Sequence, residues 1–164
     1  MKKLITSVLC LMLVFVFTVT PVQAASLRTE TRVISEETEY FEDGSYSVVT
    51  LVEEVPAVSC YTETIKKTAT KKYTHYNADD EVSFTFSLKG TFEIVTGMSA
   101  YCTSTSYSYT INKSHWSFRS GSATKSSNKA TGKGIFDYKM LGITTTYTET
   151  VNLTLTAYYN GNIK

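Results

Sequence analysis

Val82-Ser83-Phe84-Thr85-Phe86-Ser87-Leu88-Lys89 sets an apolar side chain at every second position, with a hydroxyl or a charge between. Successive side chains of an extended chain point to opposite faces, so a period of two specifies a strand with one buried and one wetted face. The register continues past Gly90 to Phe92 and Ile94, which makes Gly90 a candidate bend or bulge. Downstream, Tyr101, Thr103, Thr105, Tyr107, Tyr109 and Ile111 alternate with Cys102 and serines. Trp116 and Phe118 share a short strand, Ser120 to Lys129 reads as a polar loop, and Phe136, Tyr138 and Met140 lead to a turn around Leu141-Gly142. Val151, Leu153, Leu155, Ala157 and Tyr159 then form one face of the last strand, opposite Asn152, Thr154 and Thr156. Seven or eight strands with turn signals between them specify an all-β chain, an antiparallel β-sandwich or open barrel.

The beginning of the chain follows a different rule. Met1-Lys2-Lys3 precedes an apolar run from Leu4 to Val19, and Val22-Gln23-Ala24 supplies small residues for a cut. This is the pattern of a helical secretory signal peptide, here residues 1–24. The run is short for a spanning helix, which needs about 20 apolar residues. Cys10 follows Leu9 and lies inside the run, which is the wrong setting for a lipid anchor. Cleavage after Ala24 leaves 140 residues, one domain's worth of chain. They hold 24 Thr and 17 Ser, together with 19 aromatic residues and a single proline, Pro56. Such a composition suits pleated surfaces, excludes an all-helical protein and carries too many aromatics for disorder. The expected location is extracellular.

Export also bears on the cysteines that remain, Cys60 and Cys102. In an oxidising space they are expected to form one disulfide. Closing a loop of that length is worth about 4 kcal/mol in the chain-entropy model.

Charge splits the exported part in two. Residues 25–63 hold nine acids and two bases, whereas residues 64–164 hold six acids and twelve bases. The first part, residues 25–58, reads as an acidic arm, and residues 59–164 as the β-domain. Within the arm, Asp43-Gly44 between Glu37–Glu42 and Ser45–Glu54 signals a hairpin with a type I′ turn. Lys66, Lys67, Lys71 and Lys72 are the basic strand against which the arm is expected to dock, in its own chain or a neighbour's. Burial of Tyr46, Val48, Leu51 and Val52 must supply most of that docking, because exposed ion pairs contribute only about 0–1 kcal/mol each.

Lys67-Thr68-Ala69-Thr70-Lys71, Gly90-Thr91-Phe92, Tyr101-Cys102-Thr103-Ser104, Trp116 and Leu153-Thr154-Leu155-Thr156-Ala157-Tyr158-Tyr159-Asn160-Gly161 are further marks. In these stretches the chain resembles small exported β-rich proteins of Gram-positive, clostridial-type bacteria that have no assigned function. The resemblance implies a secreted β-domain and brings no catalytic residue with it. A looser likeness to immunoglobulin domains extends only to sandwich architecture, because Trp116 follows Cys102 instead of lying between the two cysteines.

Reactive chemistry is sparse. The two histidines, His75 and His115, read as strand or turn residues with partly exposed rings, and no G-x-S-x-G elbow accompanies them. Asp79-Asp80-Glu81 follows Asn77 between two strands and reads as a turn, because a calcium loop would need a glycine and a terminal glutamate at fixed spacing. No catalytic residue, cofactor or metal is expected. Lysines alternating along an edge strand discourage aggregation and do not make a nucleic-acid surface. Tyr101, Tyr107 and Tyr109 fall on one face, as core or as a platform for a ligand. With Lys66, Lys67, Lys71 and Lys72 they form the candidate binding surface. The function these features imply is a non-enzymatic binding module for an extracellular protein or glycan. A small secreted hydrolase is the alternative, with a toxin or antimicrobial protein third. A pocket joining His75 or His115 to a carboxylate would favour the hydrolase, and a flat aromatic patch would favour binding.

Overall fold

The computed structural model describes residues 30–55, 64–140 and 144–164. Residues 1–24, read as a signal peptide, and Cys60 lie outside the described residues, so the helix and the disulfide expected there do too. The first sheet contains β1 (Glu30–Tyr40), β2 (Tyr46–Val55), β3 (Thr64–Tyr76), β4 (Val82–Val95) and β5 (Ser99–Ile111), in that order. The second contains β6 (Trp116–Ser126), β7 (Lys129–Met140) and β8 (Thr144–Thr156), also in order. All pairings are antiparallel, and the sheets face one another without closing into a barrel. Each strand pairs with its neighbours in sequence. The described strands therefore form a two-sheet meander without the Greek-key crossings of an immunoglobulin domain.

The period of two in β4 sets the core. Phe84, Phe86, Leu88, Phe92 and Ile94 are fully buried between the sheets. Across from them, the inner face of β7 carries Ala130, Gly132, Gly134 and Phe136, so large side chains meet small ones. A Cβ on Gly134 would lie 2.8 Å from the Phe86 ring and 2.9 Å from the Phe136 ring. Phe84 and Phe136 stack with their centroids 4.1 Å apart. Gly90 serves the same purpose and is not a bend. It pairs in register with Ala69, and a Cβ there would meet the Phe92 ring at 2.9 Å.

The bulge lies elsewhere. Thr91 pairs with Ser104 but Phe92 pairs with Cys102, which leaves Thr103 as an extra residue in β5. A single inserted residue exchanges the two faces of a strand. Tyr107 and Tyr109 thus share the inner face with their partners Leu88 and Phe86, whereas Tyr101 pairs with Glu93 on the outer face. Ser120 to Lys129 is also reassigned. It is a hairpin, with β6 running to Ser126 and a two-residue turn, Ser127-Asn128, before Lys129. Much of β6 is exposed at the edge of its sheet, so its sequence shows hydroxyls without an apolar period. The last strand also ends sooner than its pattern suggests. The chain turns after Ala157, Tyr159 is exposed, and Ile163 comes back to pair with Ala157 in the core.

The acidic arm docks within its own chain. β2 pairs along β3 from Tyr46↔Tyr76 to Glu54↔Thr68, and Leu51 is buried. Buried Glu53 lies 2.6 Å from Lys67 and 3.2 Å from Arg32, and Glu54 meets Lys89 at 2.6 Å. β3 is the middle strand of five and not an edge. Its lysines alternate as expected. Lys67 and Lys71 share the inner face with their partners Phe92 and Leu88, while Lys66 and Lys72 pair with Glu93 and Ser87 on the outer face. Lys71 extends along the core to donate to the Thr154 carbonyl at 3.5 Å.

The Asp43-Gly44 hairpin forms with a different turn. Gly44 N–H donates to Phe41 O at 3.1 Å, Phe41 N–H donates to Ser45 O at 2.9 Å, and Gly44 alone takes positive φ, 83°. This is a type I turn closed by a left-handed residue. The β3–β4 turn repeats it at Asn77–Glu81, but there the left-handed position holds Asp80, φ 60°. A side chain in that conformation costs about 1 kcal/mol or more. Asp80→Gly should therefore raise the urea midpoint by the equivalent of about 1 kcal/mol. Gly134→Ala should lower it by about 1–3 kcal/mol through overpacking. Equal midpoints for all three proteins would contradict both arguments.

Candidate functional site

An antiparallel meander returns alternate turns to the same end of the molecule. At one end the β1–β2 turn, the β3–β4 turn and the β5–β6 connection meet the ends of β7 and β8 around a cavity of about 710 Å³. That volume suits a small ligand. Its walls include Phe41, Trp116, Tyr138 and Tyr147, the carboxylates Glu42, Asp43, Asp79 and Glu149, and both histidines. A smaller hollow of about 420 Å³ lies between Glu39, Val49 and the β8 edge, and shares Phe41, Tyr147 and Glu149 with the first.

The polar centre of this cavity rests on the inner faces of β3 and β8. His75 is 6% exposed, a correction to the partly exposed ring expected from sequence. Its ring stacks on Phe84, with centroids 5.1 Å apart, and meets Trp116 at the same distance. Burial lowers its pKa, with the Asp43 charge opposing, so the ring is neutral at neutral pH. Its Nε2 stands 3.8 Å from Glu149 Oε2, too far for a hydrogen bond, and its Nδ1 is buried without a partner. Glu149 is 9% exposed and accepts a short hydrogen bond from the Tyr73 hydroxyl. Burial raises its pKa, with Glu39 and Asp43 adding to the rise and the Tyr73 bond opposing it. Tyr73 is held far above the ordinary tyrosine value by burial first and then by Glu149.

Asp43 at the rim behaves oppositely. Ser45 donates to its Oδ1 from the hydroxyl at 2.5 Å and from the backbone at 3.0 Å, which lowers its pKa and keeps it ionised. Ser45 and Ser83 are the lining serines. Ser45 Oγ donates to Asp43 and Ser83 Oγ is buried with no partner, so neither is held against a histidine for proton transfer.

The residues singled out by sequence fall in different places. His75 and His115 do meet carboxylates in one cavity, the arrangement that was to favour a hydrolase. The three tyrosines do not form one platform. Tyr107 packs against Phe86 and Phe118, Tyr109 stacks on Phe118 at 3.7 Å, and Tyr101 stands on the opposite face. None of them lines the cavity, and neither do Lys66, Lys67, Lys71 and Lys72. Asp79, Asp80 and Glu81 are a turn, as read, though Asp79 lines the cavity. Cys102 is a buried free thiol that donates to the Ser104 carbonyl at 3.4 Å. Burial raises its pKa, which quiets its reactivity.

Sequence reasoning missed Glu149, Tyr147, Phe41 and Asp43 as site residues. One signal was available: Tyr147 and Glu149 continue the apolar period of Val151, Leu153 and Leu155, so a carboxylate stood in register with the core. No protein-family model matches this chain, and no curated protein or solved structure matches it.

A titration follows from Glu149. Its folded-state pKa is raised, so the stability it contributes is full below the ordinary value of 4.5 and is lost as pH rises through the folded-state pKa. Glu149→Gln cannot ionise and keeps the Tyr73 partner. The Tm of the variant should therefore gain on the native protein as pH is raised from 4.5 towards 8. The lowered pKa of His75 costs both proteins stability at acid pH and cancels in the difference. A difference that shrinks as pH rises would contradict a desolvated carboxylate.

Proposed function

We propose that this protein is a secreted, non-enzymatic binding module that captures an extracellular ligand in its end cavity. The observation that carries this is the lining. Four aromatic side chains surround a space of about 710 Å³, and neither lining serine is placed as an activated nucleophile. Large apolar rings with a few fixed polar groups are the usual composition of a small-ligand site. Trp116 is the chain's single tryptophan and lines the cavity, so its fluorescence reports occupancy. Glycan arrays, cell-wall fractions and small-molecule panels should yield a ligand that shifts Trp116 emission. A ligand that binds without disturbing Trp116, and binds equally well to Tyr147→Ala, would move the site elsewhere.

A second reading has its own support. Neutral His75 and desolvated Glu149 face each other in the cavity with displaced pKa values, an acid–base pair of the kind a hydrolase uses. Turnover of cell-wall glycan or peptide substrates, abolished in both Glu149→Gln and His75→Gln, would replace the binding reading with this one. Binding without turnover is the expected outcome.

Export is part of the proposal and rests on the pattern of residues 1–24. Protein recovered from the medium should begin at Ala25 and show no titratable thiol under denaturing conditions, export closing onto Cys60 the Cys102 thiol that stands free in the structure. Two free thiols per chain would remove the disulfide, and a retained Met1 would remove the cleavage.

A further inference from the structure

We infer that the end cavity binds an organic ammonium group, held between the rings of Trp116, Tyr138 and Tyr147 and the carboxylates of Asp43 and Glu149. This rests on the binding reading above and names the ligand class for the same site.

Charge is the first argument. Residues 64–164 carry twelve basic and six acidic side chains, yet among the described residues no lysine or arginine lines the cavity. Four carboxylates do, from three separate elements: Glu42 and Asp43 from the β1–β2 turn, Asp79 from the β3–β4 turn and Glu149 from β8. Two hydrogen bonds from Ser45 keep Asp43 ionised, and the neutral ring of His75 adds no opposing charge. A cleft lined by one sign of charge concentrates ligands of the other.

The rings are the second argument. Trp116 meets Tyr147 at 84° and Tyr138 at 69°, with centroids 6.2 and 5.4 Å apart, so the faces stand nearly at right angles, as adjoining walls. A cation over such faces is attracted by the ring quadrupoles, and two walls beside carboxylates select an alkylated ammonium over a hydrated inorganic ion. Among the described residues no three of His, Cys, Asp and Glu converge to ligate a metal, which also favours the organic cation.

The third argument is an unpaired polar side chain. His75 lines the cavity, more than nine-tenths buried, and among the described residues its Nδ1 has no hydrogen-bond partner. Buried polar groups are nearly always satisfied, so a lone one at a cavity wall marks where a ligand or its bound water completes the set.

The test is calorimetric titration of the purified protein, with Trp116 emission followed in parallel. The probes are choline, cadaverine and 3,3-dimethylbutan-1-ol, which has the shape of choline without its charge; N-acetylglucosamine is the sugar control. At least one ammonium probe should bind and shift the emission, weakening as salt is raised, while the neutral isostere fails at the same concentration. Tyr147 is exposed and can be truncated with little risk to the fold. Tyr147→Ala should weaken binding by about three- to tenfold, the scale of one cation–π contact. Asp43→Asn, which keeps the cavity's shape, should weaken it more, because the charge lost is the one that Ser45 holds ionised. Equal binding of the isostere, or binding of the sugar alone, would overturn the ammonium assignment and leave the binding module standing. Absence of binding by every probe at millimolar concentration would overturn the ammonium assignment, and only failure of the wider ligand panel as well would remove the module.

Discussion

The contact on which the rest depends is the approach of β4 to β7 through the core. Phe84, Phe86 and Leu88 are large, and they fit because the strand across from them offers Ala130, Gly132 and Gly134. The exchange of size across the interface fills the space at interior density without strain. It also aligns the sheets so that β8 lies over β3 and the first sheet extends beyond it. Among the described residues β1 has no counterpart above it, and it is exposed along its whole length. Five strands against three leave one side of the sandwich open, and the hollow beside the β8 edge lies there.

Two buried carboxylates show how differently the fold treats the same group. Glu53 is compensated on the spot, with Lys67 at 2.6 Å and Arg32 at 3.2 Å. Glu149 has a tyrosine hydroxyl, a neutral histidine at 3.8 Å and like charges near it. A buried charge without a cationic partner is expensive. The first arrangement holds an arm onto a sheet. The second spends stability on an uncompensated group in a cavity wall, which is where function is commonly found.

The meander makes this economical in another sense. Every pairing joins neighbours in sequence, so the strands assemble through local hairpins. The same alternation gathers the β1–β2, β3–β4 and β5–β6 connections at one end, where their tips are free to carry polar and aromatic residues.

The sequence by itself determined the strand class, the position of most strands, the apolar faces of β4 and β8, and the hairpin at Asp43-Gly44. These are local properties, set by a period of two and by turn residues, and they need no knowledge of what lies across the core. It determined the arm's charge as well, though Lys89 as the partner of Glu54 required the sheet order. What only the tertiary structure decided is where those regular elements depart from their own pattern and what they meet. The extra residue at Thr103 reversed one end of β5 and separated Tyr101 from Tyr107 and Tyr109, and a bulge is visible only against the partner strand. β6 was legible only at its start, Trp116 and Phe118, because most of the rest of the strand is exposed at the sheet edge and shows hydroxyls without an apolar period. The cavity was unreadable because its walls come from Phe41 to Glu149, distant in sequence and joined by packing: Tyr73 and Glu149 lie 76 residues apart, and a hydrogen bond made across a core leaves no periodic trace in either strand.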